Sequence, residues 1–76
     1  MVRAVLWQVK AAGHPTLRCE LERQSDGEYT LHIVKGKQRT VLFVHDYFDR
    51  LAALEASITM YRKFKDNGFH DTATPV

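Results

Sequence analysis

The sequence predicts a small α+β domain with a four-stranded antiparallel sheet, a meander, and one C-terminal helix packed on one face. Two observations carry this prediction. Three consecutive segments in the first two thirds of the chain are rich in strand-forming residues, and glycine-containing turns separate them. The last third instead places apolar residues at helical spacing. The predicted order of elements is therefore β-β-β-β-α.

The middle of the chain has the clearest strand pattern. In TLRCELER, the apolar residues Leu17, Cys19 and Leu21 alternate with charged ones, and EYTLHIV alternates in the same way. An Asp-Gly pair at 26–27 joins these two runs, which is a strong hairpin signal. Gly36 lies in the next turn, where positive φ suits glycine. The segment RTVLFV, rich in β-branched residues, is expected to form the fourth strand.

The first segment fits two structures. Val5, Trp7 and Val9 fit a strand, whereas steps of three and four residues from Val2 fit a helix. The β-branched residues and the tryptophan favour the strand. A loop is expected at residues 11–15, because a proline ends the element before it.

The last segment, at about residues 47–66, predicts an amphipathic helix with a defined end. Gly68 suits the left-handed position just beyond a helix, and Phe64 and Phe69 occupy the positions whose contact commonly accompanies that cap. At its start, Asp46 and Asp49 are both candidates for the N-cap. Residues 1–70 are expected to form one domain, and residues 71–76 a disordered tail.

The stretch VHDYFD, residues 44–49, looks most like a chemical site. His45, Asp46 and Asp49 could together supply at most three metal ligands, and no spacing identifies a fourth. No nucleophile accompanies them, so helix capping is the favoured interpretation. Cys19 alternates with leucines and is expected to be a buried structural residue. We therefore predict no catalytic residues, no metal site and no cofactor, and expect a protein that is not an enzyme.

The cysteine count, the first residues and the length of the apolar runs indicate the expected cellular location of the protein. A single cysteine cannot form an internal disulfide, and the start of the chain lacks the features of a signal peptide. No apolar run approaches the roughly 20 residues that a membrane span needs. A cytoplasmic protein with no membrane partner is therefore expected. The net charge of +2 neither requires nor excludes nucleic acid.

Three functions remain open at this point, of which an enzyme centred on His45 and Asp46 is the least favoured. The first is an interaction module, self-associating through an apolar sheet face away from the helix, for which the expected residues are Leu6, Val34, Leu42 and Val44. The alternative is single-stranded nucleic-acid binding through the basic hairpin around 35–39. Its expected contacts are Arg18, His32, Lys35, Lys37 and Arg39. Acidic residues in the neighbouring hairpin, Glu20 and Glu22 among them, weigh against the alternative.

Overall fold

In the computed structural model, which describes residues 3–72, the chain forms five strands and one helix. The elements are β1 (Arg3–Lys10), β2 (Leu17–Arg23), β3 (Tyr29–Lys35), β4 (Thr40–Tyr47), α1 (Arg50–Asp66) and β5 (His70–Asp71). Neighbouring strands pair antiparallel in the order β4-β3-β2-β1-β5. The predicted fold class is confirmed, and the ambiguous first segment is a strand. Within the described residues, no helix has the length and apolar character needed to cross a bilayer.

The fifth strand was not predicted. His70 and Asp71 pair with Lys10 and Val9 at the outer edge of β1. The Asp71 carboxylate accepts hydrogen bonds from the Tyr61 hydroxyl (2.8 Å) and the Lys65 ammonium (3.1 Å), and both hold its pKa below the ordinary value. Asp71, assigned to the tail by the sequence, therefore belongs to the sheet. Residues 73–76 of the predicted tail lie outside the described residues.

The helix packs on one side of the sheet, here called the covered face. The buried cluster at its centre joins β2, β3 and α1 and consists of Cys19, Leu21, Leu31, Ile33 and Ala53. The Trp7 indole lies beside this cluster and donates a hydrogen bond to the Ser57 carbonyl oxygen (3.2 Å), which ties β1 to the helix. Burial of apolar side chains between sheet and helix is the main stabilising term in this fold.

Both ends of α1 follow the sequence signals. The Asp49 carboxylate accepts from the Ala52 amide (2.8 Å), so Asp49 is the N-cap and the helix begins at Arg50, later than predicted. At the other end Gly68 has φ +92°, and the Phe69 amide donates to the Phe64 carbonyl oxygen (3.0 Å). The two phenylalanine rings meet at 5.3 Å between centroids, which confirms the predicted cap.

Two β-bulges change which side chains share a face. Leu6 is the extra residue of β1 against β2, and Leu42 is the extra residue of β4 against β3. Leu6 packs against the buried cluster on the covered face. Leu42 lines a cavity together with Met60 and Phe64 of the helix. The expectation that both lie on the side away from the helix is therefore wrong, because simple alternation fails at a bulge.

Candidate functional site

The side of the sheet away from α1, here called the open face, is built around two glutamates of β2. No other described element covers this face. Glu20 and Glu22 alternate with the core residues of β2, as the sequence predicts, yet they are only 3% and 5% exposed. Buried carboxylates need charged or hydrogen-bonding partners. The partners here are three arginines, from β1, from β2 itself and from the turn between β3 and β4, together with the imidazole of His32 on β3.

Three arginines surround Glu20. Arg39 binds it through both terminal nitrogens, one of them at 2.9 Å from Oε2. Arg3 donates from Nη1 to Oε1 at 3.2 Å, and Arg18 lies with Nη1 3.8 Å from Oε2. The hydrogen bond from Arg39 and then the one from Arg3 hold the pKa of Glu20 below its ordinary value, although burial alone would raise it. Glu20 is therefore the ionised centre of the open face.

Arg18 is oriented by a chain of side-chain hydrogen bonds that starts beyond β5. The Gln8 amide nitrogen donates to the Thr72 hydroxyl (2.8 Å), and Arg18 Nε donates to the Gln8 amide oxygen (3.1 Å). With Nε engaged in this way, the guanidinium plane is fixed and its outer nitrogens remain near the surface, since the side chain is 38% exposed. A fixed planar fork of this kind is suited to phosphate or carboxylate oxygens.

Arg39 is held by its backbone as well as by Glu20. It has φ +56°, and within residues 3–72 no other non-glycine residue adopts a positive φ. Its amide donates to the Gly36 carbonyl oxygen (3.2 Å) and closes the turn between β3 and β4. A left-handed conformation in a residue with a side chain costs roughly 1 kcal/mol. The left-handed conformation of Arg39 places its guanidinium within hydrogen-bond distance of the Glu20 carboxylate.

Gln8, Arg18 and Arg39 line a groove of about 610 Å³ on the open face. Four cationic side chains contribute to its wall, from β1, β2 and the turn after β3: Lys10, Arg18, Lys37 and Arg39. Pro15, Val34 and Gly36 supply an apolar part of the lining. The arginines around Glu20 and Glu22 exceed the two glutamates by one positive charge, and Lys10 and Lys37 add two more. The groove is therefore positively charged.

The predicted nucleic-acid contacts divide into three groups. Arg18, Lys37 and Arg39 line the groove together. His32 lies on the same face, but its ring nitrogen is 3.2 Å from the Glu22 carboxylate and its side chain is largely buried. Lys35 follows Ile33 in the alternation of β3, which places it toward the covered face. Whether any of the five contacts nucleic acid stays a prediction.

Sequence reasoning missed Lys10 and Gln8, and it took Glu20 as an argument against a basic surface. Lys10 and Gln8 lie in a different strand from the basic hairpin, so only the strand order brings them to the groove. The alternation of Glu20 with Cys19 and Leu21 was visible, but its burial follows from the register that sets it between Val5 and His32.

The four residues expected to form an apolar partner surface are divided between two sides of the sheet. Val34 is buried and contributes to the groove lining, and Val44 is 55% exposed on edge strand β4. Leu6 and Leu42 are the bulge residues on the helix side. They do not form one continuous patch, although contact of any of them with a partner stays a prediction.

The residues of VHDYFD have separate structural contacts. Asp49 caps the helix, Asp46 accepts from the Thr30 hydroxyl (2.6 Å), and the His45 ring lies between those of Phe43 and Tyr47. Among residues 3–72, no group of three or more His, Cys, Asp or Glu side chains is placed to hold a metal ion. Cys19 is fully buried, and burial, with the nearby charge of Glu20, raises the pKa of its thiol to about 12.

Comparison with known proteins adds no family to this description. No protein-family model matches the chain, no curated protein is significantly similar to it, and no solved structure matches its fold. The chemistry of the groove is therefore the basis for a functional proposal.

Proposed function

We propose that this chain is a non-enzymatic binding module whose groove on the open face holds the sugar–phosphate backbone of a single-stranded nucleic acid. The observation that carries the proposal is the convergence of Lys10, Arg18, Lys37 and Arg39 on one groove above the buried Glu20. Basic residues gathered in a groove bind the phosphate backbone and release its counterions.

The buried glutamate supports a binding role for the arginines. An arginine that acts only as a solvated surface charge needs no fixed orientation, whereas a phosphate ligand profits from a guanidinium already held in place. Glu20 fixes Arg39, and Gln8 fixes Arg18, while both guanidinium groups keep about two fifths of their side-chain surface exposed. Each can therefore still donate to an incoming phosphate oxygen.

The width and lining of the groove favour a flexible strand. The groove extends from β1 across β2 and β3 to the turn after β3. Neighbouring strands are about 4.8 Å apart, so the groove is roughly 10 Å wide and accommodates about two phosphates. The apolar lining at Pro15 and Val34 can receive a sugar edge. The described lining residues include no aromatic side chain for stacking. Binding is therefore expected to be independent of sequence and strongly dependent on salt.

Fluorescence anisotropy with a short labelled single strand tests the proposal, and the basic hairpin offers a matched pair of variants. Lys37 lines the groove, whereas Lys35, two residues earlier, lies toward the other face. Lys37→Ala is expected to weaken binding about fivefold at low salt and to reduce the slope of log K against log salt by about 0.7. Lys35→Ala, which removes the same charge, is expected to change affinity less than twofold.

Several results would overturn this proposal. One is the absence of binding at low salt, and another is an equal loss in the two lysine variants, which would indicate a response to net charge alone. A duplex of the same length that binds more tightly than the single strand would assign the face to double-stranded nucleic acid instead.

A further inference from the structure

The short strand β5 and the residue after it contact both faces of the sheet. Asp71 pairs with Val9 in the ladder between β5 and β1. The Thr72 amide then donates to the Gln8 carbonyl oxygen (3.1 Å), which sets Thr72 opposite Gln8. Directly opposed residues share one side of an antiparallel sheet, and neighbours along a strand alternate. Asp71 therefore lies on the covered face, where its carboxylate binds the helix, and Thr72 lies on the open face beside Gln8.

The side-chain hydrogen bonds between Thr72 and Arg18 have only one possible direction. Arg18 Nε carries a hydrogen and can only donate, so the Gln8 amide oxygen must face it (3.1 Å). The Gln8 amide nitrogen, which also only donates, then faces Thr72 and needs an acceptor there. The Thr72 hydroxyl oxygen is that acceptor (2.8 Å). The orientation of the Gln8 amide is therefore set from both ends, by Arg18 and by Thr72.

Arg18 depends on Gln8 for its orientation more than Arg39 does. Arg39 donates to Glu20 through both terminal nitrogens, one of them at 2.9 Å from Oε2. The closest approach of Arg18 to the same oxygen is 3.8 Å, which is too long for a hydrogen bond. The hydrogen bond to Gln8 is thus the contact that fixes the Arg18 guanidinium. A long side chain that is already fixed loses less conformational freedom when it binds a ligand, so fixing it raises affinity.

We propose that Thr72 is a positioning residue for phosphate binding in the groove, because its hydroxyl orients Gln8 and Gln8 in turn orients Arg18. This inference rests on the proposed function and deepens it. Thr72 carries no charge and is not one of the residues that line the groove. Part of the affinity for phosphate is therefore set by an uncharged side chain that follows the last strand of the sheet.

Threonine variants and the same labelled single strand test this role by fluorescence anisotropy. Thr72→Val keeps the shape of the side chain and the backbone amide but removes the acceptor, and it should weaken binding about threefold at low salt. Thr72→Ser keeps the acceptor and should bind as the wild type does. Thr59→Val, at an exposed position on α1, is the matched control and should change nothing.

The salt dependence distinguishes positioning from a loss of charge. Thr72→Val removes no charge, so its slope of log K against log salt should equal that of the wild type, whereas Arg18→Ala should reduce the slope by about 0.7. If Thr72 acts through Arg18, adding Thr72→Val to Arg18→Ala should cause no further loss of affinity.

Side-chain NMR of the free protein reports on the same contacts without any ligand. The Arg18 Nε–H should exchange slowly with water in the wild type and in Thr72→Ser, and at least about threefold faster in Thr72→Val, because its acceptor on Gln8 is then no longer held in place.

The results distinguish this inference from the function on which it rests. If the wild type does not bind the strand at low salt, the proposed function fails and the role of Thr72 fails with it. If the wild type binds and Thr72→Val binds equally well, only the role of Thr72 is wrong. That role is also contradicted if Thr72→Ser is as weak as Thr72→Val, if the double variant binds more weakly than Arg18→Ala, or if the Arg18 Nε–H exchanges at the same rate in all three proteins.

Discussion

Cys19 and Glu20 are neighbours in β2, and both are almost completely shielded from water, yet their surroundings act on them in opposite directions. On the covered face, burial disfavours the charged thiolate and raises the pKa of Cys19 to about 12. On the open face, hydrogen bonds from Arg39 and Arg3 favour the charged carboxylate and lower the pKa of Glu20. The comparison shows that the two faces use different interactions. The covered face disfavours charged groups by burial, whereas the open face stabilises a buried charge with hydrogen bonds from arginines.

The largest effect on stability is expected on the covered face. Leu31 is completely buried in the core cluster, so Leu31→Ala removes apolar contacts and leaves a cavity. The free energy of unfolding should fall by about 2–5 kcal/mol. Val44→Ala, at a half-exposed position in the adjacent strand, is the control and should change it by less than about 0.5 kcal/mol. Urea denaturation of both variants measures the difference, and equal losses would contradict a core confined to the covered face.

A smaller effect is expected at the centre of the open face. Glu20→Gln removes the charge that pairs with three arginines and should cost about 1–3 kcal/mol at neutral pH. Because the folded-state pKa of Glu20 is lowered, its contribution is present above the unfolded value and is lost as pH falls through the folded value. Urea denaturation at pH values below about 4 should therefore show a flatter loss of stability in the variant than in the wild type. Parallel acid profiles would mean that Glu20 is not the ionised centre.

The smallest effect is expected from Cys19 at alkaline pH. Its folded-state pKa is raised, so its contribution is present below the unfolded value of about 8.5 and is lost as pH rises above it. The free energy of unfolding of the wild type should fall by at most about 1.4 kcal/mol per pH unit between the pKa of the thiol in the unfolded chain and about pH 9.5. Cys19→Ala, though less stable at neutral pH, should show a flatter profile in that interval. A folded protein whose thiol reacts with a thiol reagent as fast as a free cysteine would contradict its burial.

The sequence predicted the covered face better than the open one. Local patterns are enough for the strands, for the cap at Asp49 and for the helix end at Gly68, because each depends on neighbours in the chain. The bulges at Leu6 and Leu42 have no local signature, and they transfer both side chains to the helix side.

The groove was only partly predictable for the same reason. Arg18, Lys37 and Arg39 were identified by charge, whereas Lys10 joins them only through the pairing of β1 with β2. Glu20 was read as a neighbouring negative charge, because its position beneath three arginines depends on cross-strand register and on the left-handed backbone of Arg39.

The most direct test of a functional open face is a two-dimensional amide NMR titration of the labelled protein with a short single-stranded DNA, first at low and then at moderate salt. Shifts are expected at the amides of groove residues such as Gln8, Arg18 and Lys37, with little change along α1, and they should diminish steeply as salt is added. Shifts concentrated on the helix, or none at low salt, would contradict nucleic-acid binding by the open face.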